Sequence, residues 1–389
     1  MRKIKIKSLI VALIIGFFII ISSPYIPQRI NNLVKLGFEC IIIIILLAQK
    51  TVNKKGLYTA IPAFLFLLVS LFSTFRWSVF SLRVLNAFVT NLAIVLFYYL
   101  FFIINKKIER NNILKVVQRC FIFIAIIMDF FAVVTLGKGL GGLGEPVYLL
   151  GNKFMLSYIH MVILSFLICD KSNSKLKIIS YYIFSIIMFR IVDTMTGVIG
   201  ITVVLLILLI SEKKNRIINV LSNPKTLLIT FFSINAIFLL SNIVFSNQII
   251  SSFLLKYSHT DTLLSGRLPM YNLVMNEIKK SPLFGFGINY DIVLAKFGFG
   301  NPQNGLLKML LDYGIIGTFM FSLLLYNTFK NLTKCNDKSF VLFIVVFVYG
   351  MIACSLVEIN LDLIFMFIIA IGNGLSFSTY NELTKESKI

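Results

Sequence analysis

The sequence predicts an all-α integral membrane protein with about 12 transmembrane helices in one polytopic domain over residues 1–389, and one long, partly helical outer loop between the ninth and tenth spans. Three observations carry this. Hydrophobic residues make up 58% of the 389-residue chain and charged residues only 14%, with a mean hydropathy of +0.92. The apolar residues gather into runs close to the ~20 that a helix needs to cross a hydrocarbon core, where backbone polar groups must be satisfied internally. The Lys and Arg residues behind the formal charge of +21 cluster between these runs, which is the distribution of orientation signals and not of a nucleic-acid-binding face. A soluble fold and a nucleic-acid partner are excluded, and the lipid bilayer is the expected surroundings.

In chain order the runs lie near residues 8–24, 32–48, 57–75, 84–104, 113–136, 154–169, 176–192, 196–211, 226–245, 304–327, 338–357 and 360–379. The first follows Arg2, Lys3, Lys5 and Lys7, as in a signal peptide. The "ISSPYIPQ" that succeeds it lacks a small-x-small cleavage site, so it reads as a retained span. With the amino terminus inside, the cytoplasmic segments hold about 22 Lys and Arg, against about 6 (Arg29, Arg76, Arg83, Lys138, Lys153, Arg190) in the short outer loops, the long loop left aside. Both termini are therefore expected in the cytoplasm. Cys40, Cys120, Cys169 and Cys354 sit in apolar runs and Cys335 in a short basic loop, without metal-type or disulfide-framework spacing.

Two outer loops depart from the minimal connections elsewhere. Residues 246–303 form the large extracytoplasmic loop, and "SGRLPMYNLVMNEIKKSPLFGFG" within it places Tyr271, Val274, Met275 and Ile278 on one helical face ending at Ser281-Pro282. A short amphipathic helix at the outer interface is expected. The second loop, "GKGLGGLGEPVYLLGNK" from Gly137 to Lys153, is glycine-rich and placed to close over a site. The tenth span opens with a polar cluster. Asn301 is the expected N-cap and Pro302 the first helical residue, and Asn304, Lys308 and Asp312 follow at intervals of four on one face. The Lys308–Asp312 pair reads either as a snorkelling pair near the headgroups or as part of a site. Elsewhere, Lys35 and Glu39 are expected to pair at i,i+4, and Asp129 to face a partner or a water-filled cavity. His160 is expected to be a hydrogen-bonded packing residue, and the 38 Phe residues to pack among lipid and helices.

From Gly266-Arg267 through Pro282–Gly287 (P-L-x-G-x-G) to the Gln303-Asn304 pair and the G-x-x-G at Gly314–Gly317, the chain resembles the O-antigen ligase and polysaccharide polymerase (Wzy-type) superfamily. The close resemblance covers about 80 residues, and the run pattern extends it along the chain. Two positions depart from the family. Gln303 stands where ligase-like members place His, and glutamine accepts no proton at neutral pH, so a general base would fall to His259, Asp261 or Asp291 in the same loop. In "RIVDTMTG", Met195 takes the place of an Arg, with Arg190 slightly more than one turn earlier as its substitute.

The resemblance implies a metal-independent glycosyltransferase without a cofactor. It would join undecaprenyl-diphosphate-linked oligosaccharides on the outer face of the membrane, with a chain-length regulator as a further partner. Physical chemistry agrees with those demands: no ATP is at hand outside the cell, and a lipid diphosphate departs well if its growing charge is neutralised. Arg is suited to this by its rigid, permanently charged fork. Arg267 is the first candidate, followed by Arg83, Arg190 and Arg76, with Gln303, Asn304, Lys308 and Lys280 lining the substrate site. His259 and Asp291 are the catalytic candidates beside Arg267. A flippase or secondary transporter is the competing class. It would show pseudo-repeats and broken mid-membrane helices, and no internal repeat is found in the sequence. A ligase shares the donor chemistry and differs in its acceptor.

Overall fold

In the computed structural model the described residues are 27–48, 54–77, 82–103, 107–140, 146–170, 172–213, 215–245, 267–288, 290–298, 302–354 and 363–386. Among them the chain is all-helical, with one isolated β-bridge between Val147 and Asn152. In order the helices are α1 (Gln28–Ala48), α2 (Lys54–Trp77), α3 (Leu82–Ile103), α4 (Lys107–Val134), α5 (Lys153–Cys169), α6 (Lys175–Ile191) and α7 (Met195–Lys213). They continue as α8 (Asn215–Leu221), α9 (Pro224–Phe245), α10 (Arg267–Lys280), α11 (Ile292–Phe297), α12 (Gly305–Leu332), α13 (Lys338–Ala353) and α14 (Leu363–Glu386). Each predicted apolar run from 32–48 onward coincides with one of these helices; the run at 8–24 lies outside the described residues.

Among the described residues four segments are long and apolar enough to cross a membrane: Leu57–Trp77, Val84–Phe101, Leu114–Val134 and Gly305–Leu332. Shorter apolar helices accompany them, at Lys153–Cys169, Met195–Ser211, Pro224–Ile237, Lys338–Ala353 and Ile364–Ser376. Helix starts follow from local chemistry. Asn152, Ser174, Asn304 and Asp337 each turn a side-chain oxygen onto the amide three residues on, so one orphan donor per helix is satisfied.

The centre of the bundle is built from helices that are apolar all round. Every residue of α5 from Leu156 to Ile168 is buried, as is nearly all of α13, and α13 packs against α5, α7 and α14. Around this core α2 packs on α3 and α12, and α3 packs on α14. The perimeter faces carry large exposed apolar side chains, among them Phe64, Leu68 and Phe72 on α2, Phe123, Ile126 and Phe130 on α4, and Ile183 and Ile187 on α6. In water such a surface would be unstable; in hydrocarbon it costs nothing.

A second, smaller apolar cluster stands apart from this core. Met270, Tyr271 and Val274 of α10 meet Phe286, Val293 of α11, and Leu307 and Leu311 of α12. The predicted amphipathic helix is therefore present over Arg267–Lys280, but it is packed against the first turns of α12. Its buried face is also rotated from the expected one. Tyr271 and Val274 are buried, whereas Met275 is 43% exposed, and Glu277 is buried in its stead. Glu277 accepts hydrogen bonds from Lys280 Nζ (2.6 Å) and Tyr290 Oη (3.1 Å), which lets a carboxylate occupy an inward position.

Candidate functional site

The site is organised by a break in α12. Gly314 has φ 65° and ψ −166°, a region that only glycine occupies freely, so the helix runs from Gly305 to Tyr313, is interrupted, and resumes toward Leu332. In an unbroken helix the carbonyls of Leu311 and Asp312 would accept from the amides of Ile315 and Ile316. These four groups turn instead to residues 282–287. Phe286 N donates to Leu311 O (2.8 Å) and Gly287 N to Asp312 O (2.7 Å), while Ile315 N donates to Pro282 O (2.8 Å) and Ile316 N to Leu283 O (3.1 Å). The P-L-x-G-x-G segment is thus a backbone wedge driven into the helix, and it supplies the partners that the break removes.

The glycines are where they are because of this wedge. A Cβ on Gly314 would lie 2.4 Å from the backbone of Leu283, and one on Gly285 would lie 2.6 Å from the backbone of Leu311 and Asp312. The outer rim of the wedge is bracketed by α2. Trp77 Nε1 donates to Gly285 O (3.1 Å), Ile288 N donates to Thr74 Oγ1 (3.1 Å), and Phe286 lies between Trp77 (5.0 Å between ring centroids) and the stacked ring of Tyr290 (4.3 Å). Ser281 Oγ closes the turn by donating to Gly285 O.

The expected N-cap at Asn301 lies outside the described residues, and the structure corrects the cap itself: Asn304, not Asn301, caps α12, and Pro302 precedes the helix. The reason is Gln303, whose positive φ of 51° breaks the chain direction and leaves Asn304 extended, with Oδ1 accepting from Leu307 N at 3.0 Å. The next amide, Leu306 N, is taken by Asn235 Oδ1 of α9 at 3.3 Å. Asn304 Nδ2 is buried with no hydrogen-bond partner, an arrangement that costs about 1–3 kcal/mol unless a ligand or water answers it.

Lys308 and Asp312 do lie on the face of Asn304, as their spacing predicts, and Lys308 Nζ meets Asp312 Oδ1 at 3.0 Å. Their side chains are 4% and 0% exposed, so the snorkelling reading does not hold. Asp312 is the node of the site, because its carbonyl holds the wedge at Gly287 and its carboxylate holds Lys308.

The remaining candidates are distributed as follows. Arg267 is the first residue of α10 and Arg83 the second of α3, and only their backbone positions are described. Arg76 is exposed, with its guanidinium 5.5 Å from the centre of the Trp77 ring. Lys280 ends α10 on Glu277; Asp291 is exposed ahead of α11; Gln303 accepts at its carbonyl from Tyr271 Oη at 3.5 Å. His259 and Asp261 lie outside the described residues.

Arg190 belongs to a different cluster. It is exposed in the last turn of α6, and among the described residues α6 makes no substantial contact with α10 or α12. Its neighbours are the glycine-rich loop. A Cβ on Gly137 would strike the carbonyl of Ile191, Tyr148 Oη donates to Gly137 O (2.7 Å), and Lys153 Nζ donates to Asp193 O (3.3 Å). Burial, reinforced by the Asp193 carboxylate, pushes the Tyr148 phenol up to about 12, so it stays a donor and the loop stays pinned.

Two further expectations concern polar residues within the helices. Asp129 does face a partner: His160 Nε2 lies 3.0 Å from Asp129 Oδ1, with Ser185 Oγ and Tyr181 Oη each 3.0 Å from Nδ1, a network that ties α4, α5 and α6 together. The expected Lys35–Glu39 pair is close enough for the two charges to interact but is not hydrogen-bonded. Both residues are buried, but neither carboxylate oxygen of Glu39 meets a hydrogen-bond donor. Thr74, Trp77, Asn235, Glu277 and Tyr290 escaped the sequence reading. Only Trp77, the single tryptophan of the chain, carried a compositional signal.

Residues 180–322 match the model of a family described as O-antigen ligase, consistent with the O-antigen ligase/polymerase superfamily. The match runs from α6 to the second half of α12, and so takes in Arg190, Arg267, the wedge, the Gln303-Asn304 pair and the Gly314 break. No curated protein matches the chain.

Proposed function

We propose that this chain is a bacterial O-antigen or capsular polysaccharide polymerase. It joins undecaprenyl-diphosphate-linked repeat units on the outer face of the cytoplasmic membrane, with about twelve spans and both termini inside. The observation that carries the reading is that one family match spans the wedge, the helix break and the two arginines Arg190 and Arg267. In the reaction, a hydroxyl oxygen of one lipid-linked unit attacks the anomeric carbon of another, and the bond to the diphosphate breaks with inversion. Arg267 grips the departing diphosphate, Arg83 and Arg76 share its charge, and the binding is metal-independent. The unanswered amide of Asn304 supplies a donor to a substrate oxygen, and Lys308, held by Asp312, supplies positive field beside it. The proton of the attacking hydroxyl passes to His259, Asp261 or Asp291, because Gln303 cannot take it.

The family description favours a ligase as the second reading, one that shares the donor and hands the glycan to another acceptor. The absence of His at position 303 leans toward polymerase. Glycan length in cells lacking the protein tests the proposal. Loss of long chains with single repeats still displayed outside supports it; unaltered chain length with glycan no longer attached to its final acceptor supports the ligase; repeats held on the cytoplasmic side would overturn both in favour of a flippase.

A further inference from the structure

We infer that the indole of Trp77 is a stacking platform for a sugar ring of the transferred glycan, an inference that rests on the glycan-transfer reading above. Trp77 is the only tryptophan in the chain, it ends α2, and it remains 49% exposed. A tryptophan that merely anchors a membrane interface turns its N–H toward headgroups and water and its ring toward lipid. Here the orientation is reversed. Nε1 is turned inward onto the carbonyl of Gly285, at the heart of the wedge, so the polar end is already satisfied in a residue that stays half exposed.

The ring is also held still. Phe286 supports it at 5.0 Å, Tyr290 stacks on Phe286 at 4.3 Å and 10°, and Tyr290 is fixed by its hydrogen bond to the buried Glu277. One turn earlier, Thr74 accepts from Ile288 N, so both ends of the last turn of α2 are bonded to the wedge. A rigid, half-open aromatic face costs little entropy on binding, and the electron-rich face of indole attracts the C–H side of a pyranose as it attracts other positive edges. The rim suits the remainder of a sugar phosphate. The exposed Arg76 guanidinium lies over the ring, 5.5 Å from its centre, and swings onto the phosphate when a sugar takes the face; Asp291, next in sequence to Tyr290, is exposed. Trp77 thus places a sugar beside residues 282–287, where the amides of Phe286 and Gly287 and the carbonyls of Pro282 and Leu283 hold the break in α12.

Because the indole is unique, its own emission reports the contact. The full-length protein is placed in nanodiscs of ordinary or brominated phosphatidylcholine. The probe is the oligosaccharide pool released by mild acid from the lipid-linked intermediates of a strain lacking this protein. The platform predicts a saturable change in emission on adding the oligosaccharides and little quenching by brominated chains. In calorimetry, Trp77→Ala weakens binding about tenfold, while Trp77→Phe, which keeps a ring against Phe286, weakens it no more than about threefold. Strong quenching by brominated lipid with no response to glycan makes Trp77 a lipid anchor and overturns the inference. If that result accompanies loss of long chains, or of their attachment to the final acceptor, in the deletion strain, the platform alone falls; if long chains persist there and remain attached, the glycan-transfer reading falls with it.

Discussion

Replacing Gly314 by Ala probes the wedge most directly. A side chain at φ 65°, ψ −166° is strained by about 1–3 kcal/mol on its own. Its Cβ would also lie 2.4 Å from the carbonyl carbon and oxygen of Leu283 and 2.5 Å from Phe284 N, all of them backbone atoms that cannot rotate aside. The wedge must therefore withdraw and forfeit its four hydrogen bonds to Leu311, Asp312, Ile315 and Ile316; at about 0.5–1.5 kcal/mol net for each, that adds about 2–6 kcal/mol. The total is comparable with the whole stability margin of an ordinary domain, about 5–15 kcal/mol. Gly298→Ala is the matched control. Gly298 also has a left-handed φ of 72°, but nothing lies within 4 Å of its would-be Cβ, so it registers strain alone, about 1 kcal/mol. Thermal unfolding of the detergent-purified proteins should show Gly298→Ala near the parent and Gly314→Ala far below it or too unstable to purify. Equal unfolding temperatures for the two variants would refute the wedge as a stabilising element.

The Lys308–Asp312 pair makes a separate prediction. Lys308→Met takes the ammonium away from a fully buried carboxylate and should cost about 3–5 kcal/mol, whereas the double change Lys308→Met with Asp312→Leu should cost less than either single change, as read from the same unfolding assay. For Arg267, the proposed grip on the diphosphate predicts that Arg267→Ala abolishes long-chain polymer at unchanged protein level, and that Arg267→Lys rescues poorly because a point charge does not reproduce a bidentate fork. Immunoblotting for the protein beside a glycan ladder checks this, and a full ladder from Arg267→Ala would remove Arg267 from the site.

The helices were readable because hydrocarbon imposes length and composition on each of them separately. The Lys308–Asp312 contact was readable for a similar reason, since a spacing of four within one helix needs no knowledge of any other element. The wedge was not readable. Its four bonds run between backbone groups of residues 282–287 and 311–316, and backbone groups leave no trace in residue identity beyond the glycines that make room for them. Asp129 and His160 were each noticed, but their pairing depends on how α4 slides against α5, which the sequence of either helix alone does not state. The cap moved from Asn301 to Asn304 because a single left-handed residue, Gln303, redirects the chain between them. The inward turn of Glu277 in place of Met275 follows from tertiary partners, Tyr290 above all, that helical periodicity cannot anticipate.

Gly285, Gly287 and Gly314 are separated along the chain, yet each makes room for a neighbour within one crossing: Gly285 for Asp312, Gly287 for Thr74, Gly314 for Leu283. They form a single inheritable unit. Grafting the 246–303 segment from a distant relative onto this bundle can succeed only if the recipient keeps a matching gap in its tenth apolar run, and chimaeras joined between residues 288 and 305 should fail unless both sides come from one parent.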